Sequence, residues 1–505
     1  VAARLSALRE ALPGAEHRGG DPVLHDATHD SREVRPGELF CAVTGARQDG
    51  HDHAGEAAAR GAAAVMVERW VDVDLPQLRV ASVRRALGPA AAEVHGRPAT
   101  ELLLLGVTGT NGKTTVVSLL EAILARSGRG TGVLGTLGVR LHGASVPLGR
   151  TTPEATDLQR TLRDLRTRGA DAVAMEVSSH GLALHRVDGV RFAVAGFTNL
   201  TQDHLDFHGD MSSYLAAKAR LFTPALADRG VVLLGAPGAD ALRAAAGIPI
   251  TTVGADPDAD LRVTDRAVGP DGGRVELVTS AGVLTLRTRL LGDFNLDNVL
   301  VAATMALVAG LPPEAVVAGI AAAEAPTGRL EPVVGPIDAP RVLVDYAHTP
   351  DAIANVVRVA RTLGAGRVGV VLGAGGDRDA GKRPAMGAAA AAADLVVVTD
   401  DNPRSEDPAA IRAAVLAGAR AAVPAEVRAE VRAEVRAEVR EVSERSAAIA
   451  AAIAWAAPGD VVLVLGKGHE VGQEVAGTVL PFDDRAVAAG LLAGVPATAG
   501  RAGAA

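Results

Sequence analysis

A three-domain α/β protein is what this sequence predicts, and three observations carry that expectation. The chain has 505 residues, too many for one hydrophobic core and close to the usual size of three domains. From residue 102 onward, short apolar runs alternate with longer alanine- and leucine-bearing helical patterns, as parallel strands covered on both faces require. The third observation is a glycine-rich turn ending in a lysine, Gly106-Val-Thr-Gly-Thr-Asn-Gly-Lys113-Thr114-Thr115, which closes the first of those runs.

Composition sets the outer limits. Apolar residues make up 48% of the chain and aromatics only 2%, so the core is aliphatic and the helices are alanine-rich. A formal charge of −8, with no basic run, argues against a nucleic-acid binder. The single cysteine, Cys41, excludes a disulfide framework within the chain and fits a reducing compartment, most simply the cytoplasm. The first residues read as neither a signal peptide nor a lipidation site, and no stretch reaches the ~20 apolar residues of a membrane span. A soluble, cytoplasmic protein is expected.

Taken in order, residues 1–100 mix short apolar stretches with a turn-rich segment, Asp30-Ser-Arg-Glu-Val-Arg-Pro-Gly, and predict a small N-terminal α/β domain. Residues 101–328 carry strand-like runs at 102–105, 172–175, 193–197 and 231–234 and predict a central parallel-sheet domain of the phosphate-loop ATPase type. Residues 329–505 begin a second βα series, with runs at 342–345, 368–372, 395–399 and 461–465. Each ends in a polar or glycine-rich segment, the ligand side of a doubly wound, Rossmann-like sheet. Within this last domain the unit Ala-Glu-Val-Arg recurs four times over residues 425–440. At period two it alternates like a strand; as a helix it stacks Glu on Glu and Arg on Arg at i, i+4, which is mildly unfavourable. A surface hairpin or helix lengthened by duplication is the expectation.

The glycine-rich turn predicts ATP binding. A buried strand feeding such a turn and then a helix points backbone N–H groups at a polyphosphate, while Lys113 reaches its terminal phosphates and the Thr114 hydroxyl meets Mg²⁺. The strict Walker pattern has four residues between its glycines, whereas five lie between Gly106 and Gly112. Polar residues also cluster at neighbouring strand ends: Glu176-Val-Ser-Ser-His180 and Asp203-His204-Leu-Asp-Phe-His208. A carboxylate and a histidine there suit Mg²⁺, with phosphate oxygens and water in the remaining positions.

Together these stretches, with Thr151-Thr-Pro-Glu154, Asp345-Tyr-Ala-His-Thr-Pro350 and Gly466-Lys-Gly-His-Glu470, resemble the Mur ligases of peptidoglycan synthesis over nearly the whole chain. Asp401-Asn-Pro-Arg404 resembles the signature of those members that add meso-diaminopimelate to UDP-N-acetylmuramoyl-L-alanyl-D-glutamate. The resemblance implies roles. Gly109, Thr110, Asn111, Gly112, Lys113, Thr114 and Thr115 would hold the ATP phosphates. Asn295, Asn298, Arg329, Asp345 and His348 would grip the rest of the nucleotide. Ser31 would contact the uridine diphosphate, and Thr151, Thr152, Ser178 and Arg186 the muramoyl-dipeptide. Thr114, Glu176 and His204 would hold the metal, joined by Lys218 as a CO₂-derived carbamate. That modification turns a repelling cation into an anionic oxygen ligand. Lys113, Glu176, His204 and Lys218 form the implied catalytic set.

Arg378, Asp401, Asn402, Arg404, Gly466 and Glu470 would read diaminopimelate. Charge supports that assignment, because diaminopimelate exceeds lysine by one carboxylate. Selecting it calls for a forked cation and an acid for the distal ammonium, which Arg404 and Glu470 can supply. Leu184 stands where some relatives carry a glutamine, and nothing in the family accounts for the tetrapeptide repeat.

The implied reaction passes the γ-phosphoryl group to the D-glutamate side-chain carboxylate, and the diaminopimelate amine attacks the acyl phosphate. With its substrates on different domains, closure of the C-terminal domain is expected before attack. Arg404 disfavours an L-lysine ligase, Ser31 and the N-terminal domain disfavour a folylpolyglutamate synthetase, and intact Glu176, His204 and Lys218 disfavour a scaffold that has lost catalysis. A monomer is expected.

Overall fold

The computed structural model describes residues 2–45, 48–363, 366–422 and 437–494. Three large sheets organise them, in succession along the chain. The first has five strands in the order Glu16–Arg18, Gln77–Arg79, Ala64–Val67, Leu39–Cys41 and Ala27–Thr28, parallel except at its first pair. Helix Val83–Val94 buries Leu87, Ala90, Ala91 and Val94 in the same core as the strand residues Leu39, Ala64 and Leu78.

The central sheet has eleven strands and is parallel only in its middle. From Thr131–Gly135 through Ala172–Glu176, Leu103–Thr108, Phe192–Phe197, Ala227–Leu233 and Ile250–Gly254 to Leu261–Gly269, every neighbour runs the same way. Antiparallel strands extend both edges: Gly138–Leu141 with Ala144–Val146 on one side, and Gly272–Thr279 with Gly282–Thr288 on the other. These flanks escape a search for buried runs because they are half solvated, alternating like Gly272–Thr279 rather than running apolar. Helices Lys113–Arg126, Asp293–Val308 and Pro313–Ala322 cover one face, and Ala155–Thr167 the other. Leu103–Thr108 lies at the centre of this sheet, which fixes the glycine-rich turn at the C-terminal ends of the parallel strands.

The third sheet orders as Glu331–Pro332, Arg341–Asp345, Val461–Leu465, Val368–Leu372, Leu395–Val398 and Glu438–Glu441, parallel but for its first strand. Its inner strands are buried on both faces. Helices Pro350–Thr362, Arg383–Ala390 and Pro408–Ala422 pack on one side, Arg445–Trp455 and Asp484–Gly494 on the other, as in a doubly wound fold. The start of Pro350–Thr362 is written locally: the Thr349 hydroxyl accepts from Ala352 N–H, and Pro350 opens the first turn. Residues 425–436 of the tetrapeptide repeat lie outside the described residues. Its last copy supplies most of the edge strand Glu438–Glu441, where Val439 packs against the core.

Candidate active site

The glycine-rich turn leaves strand Leu103–Thr108 and enters helix Lys113–Arg126 through Gly112, whose φ of 86° is left-handed backbone that favours glycine. A side chain at Gly109 or Gly112 would collide with Thr198 or Asn298, so both positions must stay bare for the turn to close. The Lys113 ammonium donates to the carbonyls of Gly109 at 2.9 Å and Thr110 at 2.8 Å. Burial lowers its pKa, aided by Arg329 and opposed by Glu176 and Asp203. Thr110 and Asn111 are tied to the next strand's tip: the Thr110 hydroxyl donates to the Thr201 carbonyl at 3.1 Å, and Asn111 N–H to Asn199 Oδ1 at 3.0 Å.

A chain of hydrogen bonds runs from this turn toward the predicted acceptor site. Thr114 Oγ1 donates to Glu176 Oε1 at 3.0 Å, and Thr136 engages both Glu176 oxygens, by its N–H at 2.9 Å and its hydroxyl at 3.1 Å. Thr136 Oγ1 lies 3.1 Å from Thr151 Oγ1. Thr152 caps the same strand end, donating to the Glu176 carbonyl at 3.0 Å and accepting from Ser178 N–H at 2.9 Å. Arg186 donates to the Thr152 carbonyl at 3.1 Å and pairs with buried Glu154 at 2.9 Å. Burial would raise the Glu154 carboxyl, but Arg186 and Arg84 outweigh it and pull the pKa down. Ser178 accepts from Gly181 N–H at 3.0 Å. Ser31 stands apart on the first sheet's side, buried, its hydroxyl donating to Glu56 at 2.8 Å.

His204 occupies left-handed backbone at φ 55° and meets the His180 ring edge-on with centroids 4.8 Å apart. Burial, His180 and Lys113 lower its pKa to about 3 despite Asp203, so its ring is neutral at ordinary pH. Lys218 departs from the solvated position its helix would give it in isolation. It is buried against the face of Tyr214, 4.3 Å from the ring centroid. Burial, with Lys113 nearby, holds its pKa well below that of a free lysine.

A cleft of about 580 Å³ opens between the central and third sheets beside Gly112, Thr114 and Thr115. Asn295 and Asn298 enter it from helix Asp293–Val308, with Arg329, Asp345 and His348 opposite. Asn298 Nδ2 donates to Asn295 Oδ1 at 2.9 Å, and Arg329 donates to Thr114 Oγ1 at 3.2 Å, bridging the two halves. Arg329 also lies over the Tyr346 ring at 4.7 Å. Asp345 accepts from the backbone of Leu330 and Ala347 at 2.6 and 2.7 Å.

A second cleft, of about 1100 Å³, is lined by Thr136, Asn402, Arg404 and Glu470 among others. Arg404, at φ 52°, donates to the Gly376 carbonyl at 2.6 Å and lies 3.4 Å from Glu474. Asn402 donates to Glu470 at 2.8 Å. Asp401 packs against Gly466 and lies 3.9 Å from Arg445, a fully buried arginine paired with Asp484 at 2.7 Å. Arg378 is exposed on the adjoining loop. Sequence reasoning gave no role to Thr136, Lys382, Arg445 or Lys467. Only Lys467 lay inside a quoted motif; the others carry no local signal, because their meaning comes from contacts made across the fold.

Thr114 and Glu176 offer hard oxygen donors, which fits Mg²⁺ at the mouth of the loop. Lys218 fits as an oxygen ligand only once its amine is modified. Among the described residues no three His, Cys, Asp or Glu side chains form a self-sufficient metal cluster, so phosphate oxygens and water would complete the shell.

Fold and site together define a three-domain α/β protein with a phosphate loop at one cleft, joined through Glu176 and Thr136 to a second. Family models match as the Mur ligase middle domain over residues 107–306, the Mur ligase glutamate ligase domain over 328–468 and the Mur ligase family catalytic domain over 23–97. The chain belongs to the Mur ligase family. It is 47% identical over 484 residues to the UDP-N-acetylmuramoyl-L-alanyl-D-glutamate--2,6-diaminopimelate ligase of Streptomyces avermitilis, covering 94% of this chain and 93% of that protein. The enzyme of the same description from Streptomyces coelicolor is 45% identical, with 93% and 92% covered. A solved structure of a ligase of that description superposes with a TM-score of 0.69 at 30% identity, covering 97% of this chain and 99% of the other.

Proposed function

We propose that this protein is an ATP-dependent ligase that joins meso-2,6-diaminopimelate to UDP-N-acetylmuramoyl-L-alanyl-D-glutamate in peptidoglycan precursor synthesis. The observation that carries the reading is the hydrogen-bonded path from Thr114 through Glu176 and Thr136 to Thr151. It links the phosphate loop to the side chains assigned to the acceptor, with the Arg404 and Glu470 cleft beside Thr136. The spans 1–100, 101–328 and 329–505 then serve as UDP-binding, ATP-binding and amino-acid-binding domains.

Lys113 and the loop amides hold the triphosphate, and the cation neutralises charge on the transferring group. Asn295 and Asn298, with Arg329, Asp345 and His348, orient the rest of the nucleotide. Bound at Thr114, Glu176, His204 and carbamylated Lys218, Mg²⁺ would supply charge neutralisation across the phosphates. Burial favours the carbamate, since CO₂ reacts with a neutral amine and Lys218 is held toward that form. Arg186 and Thr152 orient the D-glutamate arm, and Arg404 with Glu470 fixes diaminopimelate so that its amine meets the acyl phosphate. Positioning at ~3 to 3.5 Å supplies much of the acceleration.

Among the described residues no helix is long and apolar enough to cross a membrane. We place the enzyme in the cytoplasm, acting as a monomer on nucleotide-linked substrates. Phosphate release should require ATP, Mg²⁺, the UDP-muramoyl-dipeptide and diaminopimelate together. Comparable kcat/KM with L-lysine would overturn the specificity.

A further inference from the structure

We infer that Lys467 is a positioning residue for amino-acid selection: it sets Asn402 and Glu470 without touching the substrate. The inference rests on the function proposed above.

Lys467 follows strand Val461–Leu465 and lies between Gly466 and Gly468, both in left-handed backbone at φ 112° and 53°. A Cβ at Gly466 would press on the Asp401 carboxylate, and one at Gly468 on Tyr346 and the Gly328 carbonyl. Two bare positions therefore let the loop fold against its neighbours and carry the lysine inward. Lys467 is 0% exposed. A lysine is almost never fully buried unless its charge is answered.

The answer is a closed triangle of side chains. Lys467 Nζ donates to Asn402 Oδ1 at 3.0 Å and to Glu470 Oε2 at 3.3 Å, and Asn402 Nδ2 donates to the same Glu470 oxygen at 2.8 Å. Glu474 N–H also points at Asn402 Oδ1, at 2.9 Å. With two donors aimed at its oxygen, the Asn402 amide has one orientation, nitrogen toward Glu470. Both side-chain bonds to Glu470 end on Oε2, leaving Oε1 as the acceptor available to a ligand.

Exposure divides the labour. Glu470 keeps 31% of its side chain accessible and lines the larger cleft with Asn402 and Arg404, whereas Lys467 is not among the lining residues. Lys467 therefore acts through its partners. Without it, Glu470 loses one of two donors and Asn402 one of two constraints, so the carboxylate gains rotameric freedom where it must face the distal ammonium.

The test compares the wild-type enzyme with Lys467→Met, Lys467→Gln, Glu470→Gln and the double variant Lys467→Met/Glu470→Gln. Two amino-acid substrates are used: meso-diaminopimelate and 2-aminopimelate, which lacks the distal amine. Both Lys467 variants should raise KM for diaminopimelate on the order of 10- to 100-fold, the range for lost charge-assisted hydrogen bonds. KM for ATP should stay within about twofold, and preference for diaminopimelate over 2-aminopimelate should fall about tenfold or more. The double variant should lose clearly less than the sum of the two single losses, because Lys467 works in part through Glu470. Unchanged or tighter diaminopimelate binding, a loss of kcat with preference intact, or fully additive losses would each overturn the inference. Failure of both Lys467 variants to fold would overturn it too, by showing that the lysine serves the fold. A wild-type enzyme with no diaminopimelate-dependent turnover would instead overturn the proposed function itself.

Discussion

Lys382, at the start of helix Arg383–Ala390 in the third domain, donates to Asp203 of the central domain across 3.2 Å. His348 approaches the same carboxylate at 3.7 Å, so two groups from one domain meet a single buried acid of the other. Burial would raise the Asp203 carboxyl, yet His348, His204 and Lys382 hold it well below the usual carboxylate range. With Arg329 reaching Thr114, these contacts tie the third domain to the central one. Lys382→Met should therefore lower kcat by roughly tenfold or more, since the buried Asp203 carboxylate keeps only His204 and His348 and loses its hydrogen-bonded cation from the third domain. Nucleotide affinity should change far less. Stopped-flow measurement of ATP binding beside steady-state turnover checks this, and equal losses in both would contradict it.

Lys218→Ala should abolish turnover, and added acetate should restore part of it by supplying the missing oxygen ligand. Lys218→Arg should remain inactive, because guanidinium forms no comparable carbamate and would repel the metal. Turnover measured with and without acetate decides the matter; substantial activity in Lys218→Arg would rule out the carbamate.

Arg404→Ala should weaken diaminopimelate binding by roughly 2 to 5 kcal/mol while leaving ATP binding nearly unchanged, because a carboxylate in a closed site loses its forked partner. Arg404 is already held by the Gly376 carbonyl, so its guanidinium is preset for that contact. An unaltered KM for diaminopimelate would sink the assignment.

Legibility in the sequence followed the range of each signal. The phosphate loop and the strands at 172–176 and 461–465 are local patterns of apolar run and polar end, and they were readable as such. The antiparallel flanks of the central sheet were not, because half-solvated strands lack a continuous apolar run. The same division runs through the site. Glu176 drew attention by standing at a strand end, whereas Thr136, which holds both its oxygens, sits in an ordinary Gly-Thr-Leu-Gly turn. Arg445 and Asp484 lie 39 positions apart, and nothing local to either announces a buried pair beside Asp401.

The repeat yields a prediction that separates its copies. Ala437 to Arg440, the last copy, enters a strand paired in parallel with Leu395–Val398, with Ala437 and Val439 packed against the core. Residues 429–436 are two whole copies ahead of that strand. Deleting them keeps the alternation in phase, so Val439 would still face inward. Loop closure changes by only about 0.6 kcal/mol for each twofold change in length, which is small against the stability of a domain. The shortened protein should retain its thermal midpoint within a few degrees and most of its kcat. Deleting residues 437–440 instead removes an edge strand and its core contacts, and should lower the midpoint markedly. Thermal unfolding and phosphate release on both variants check the contrast: a large loss from the first deletion would show that the earlier copies pack on the domain or on a partner.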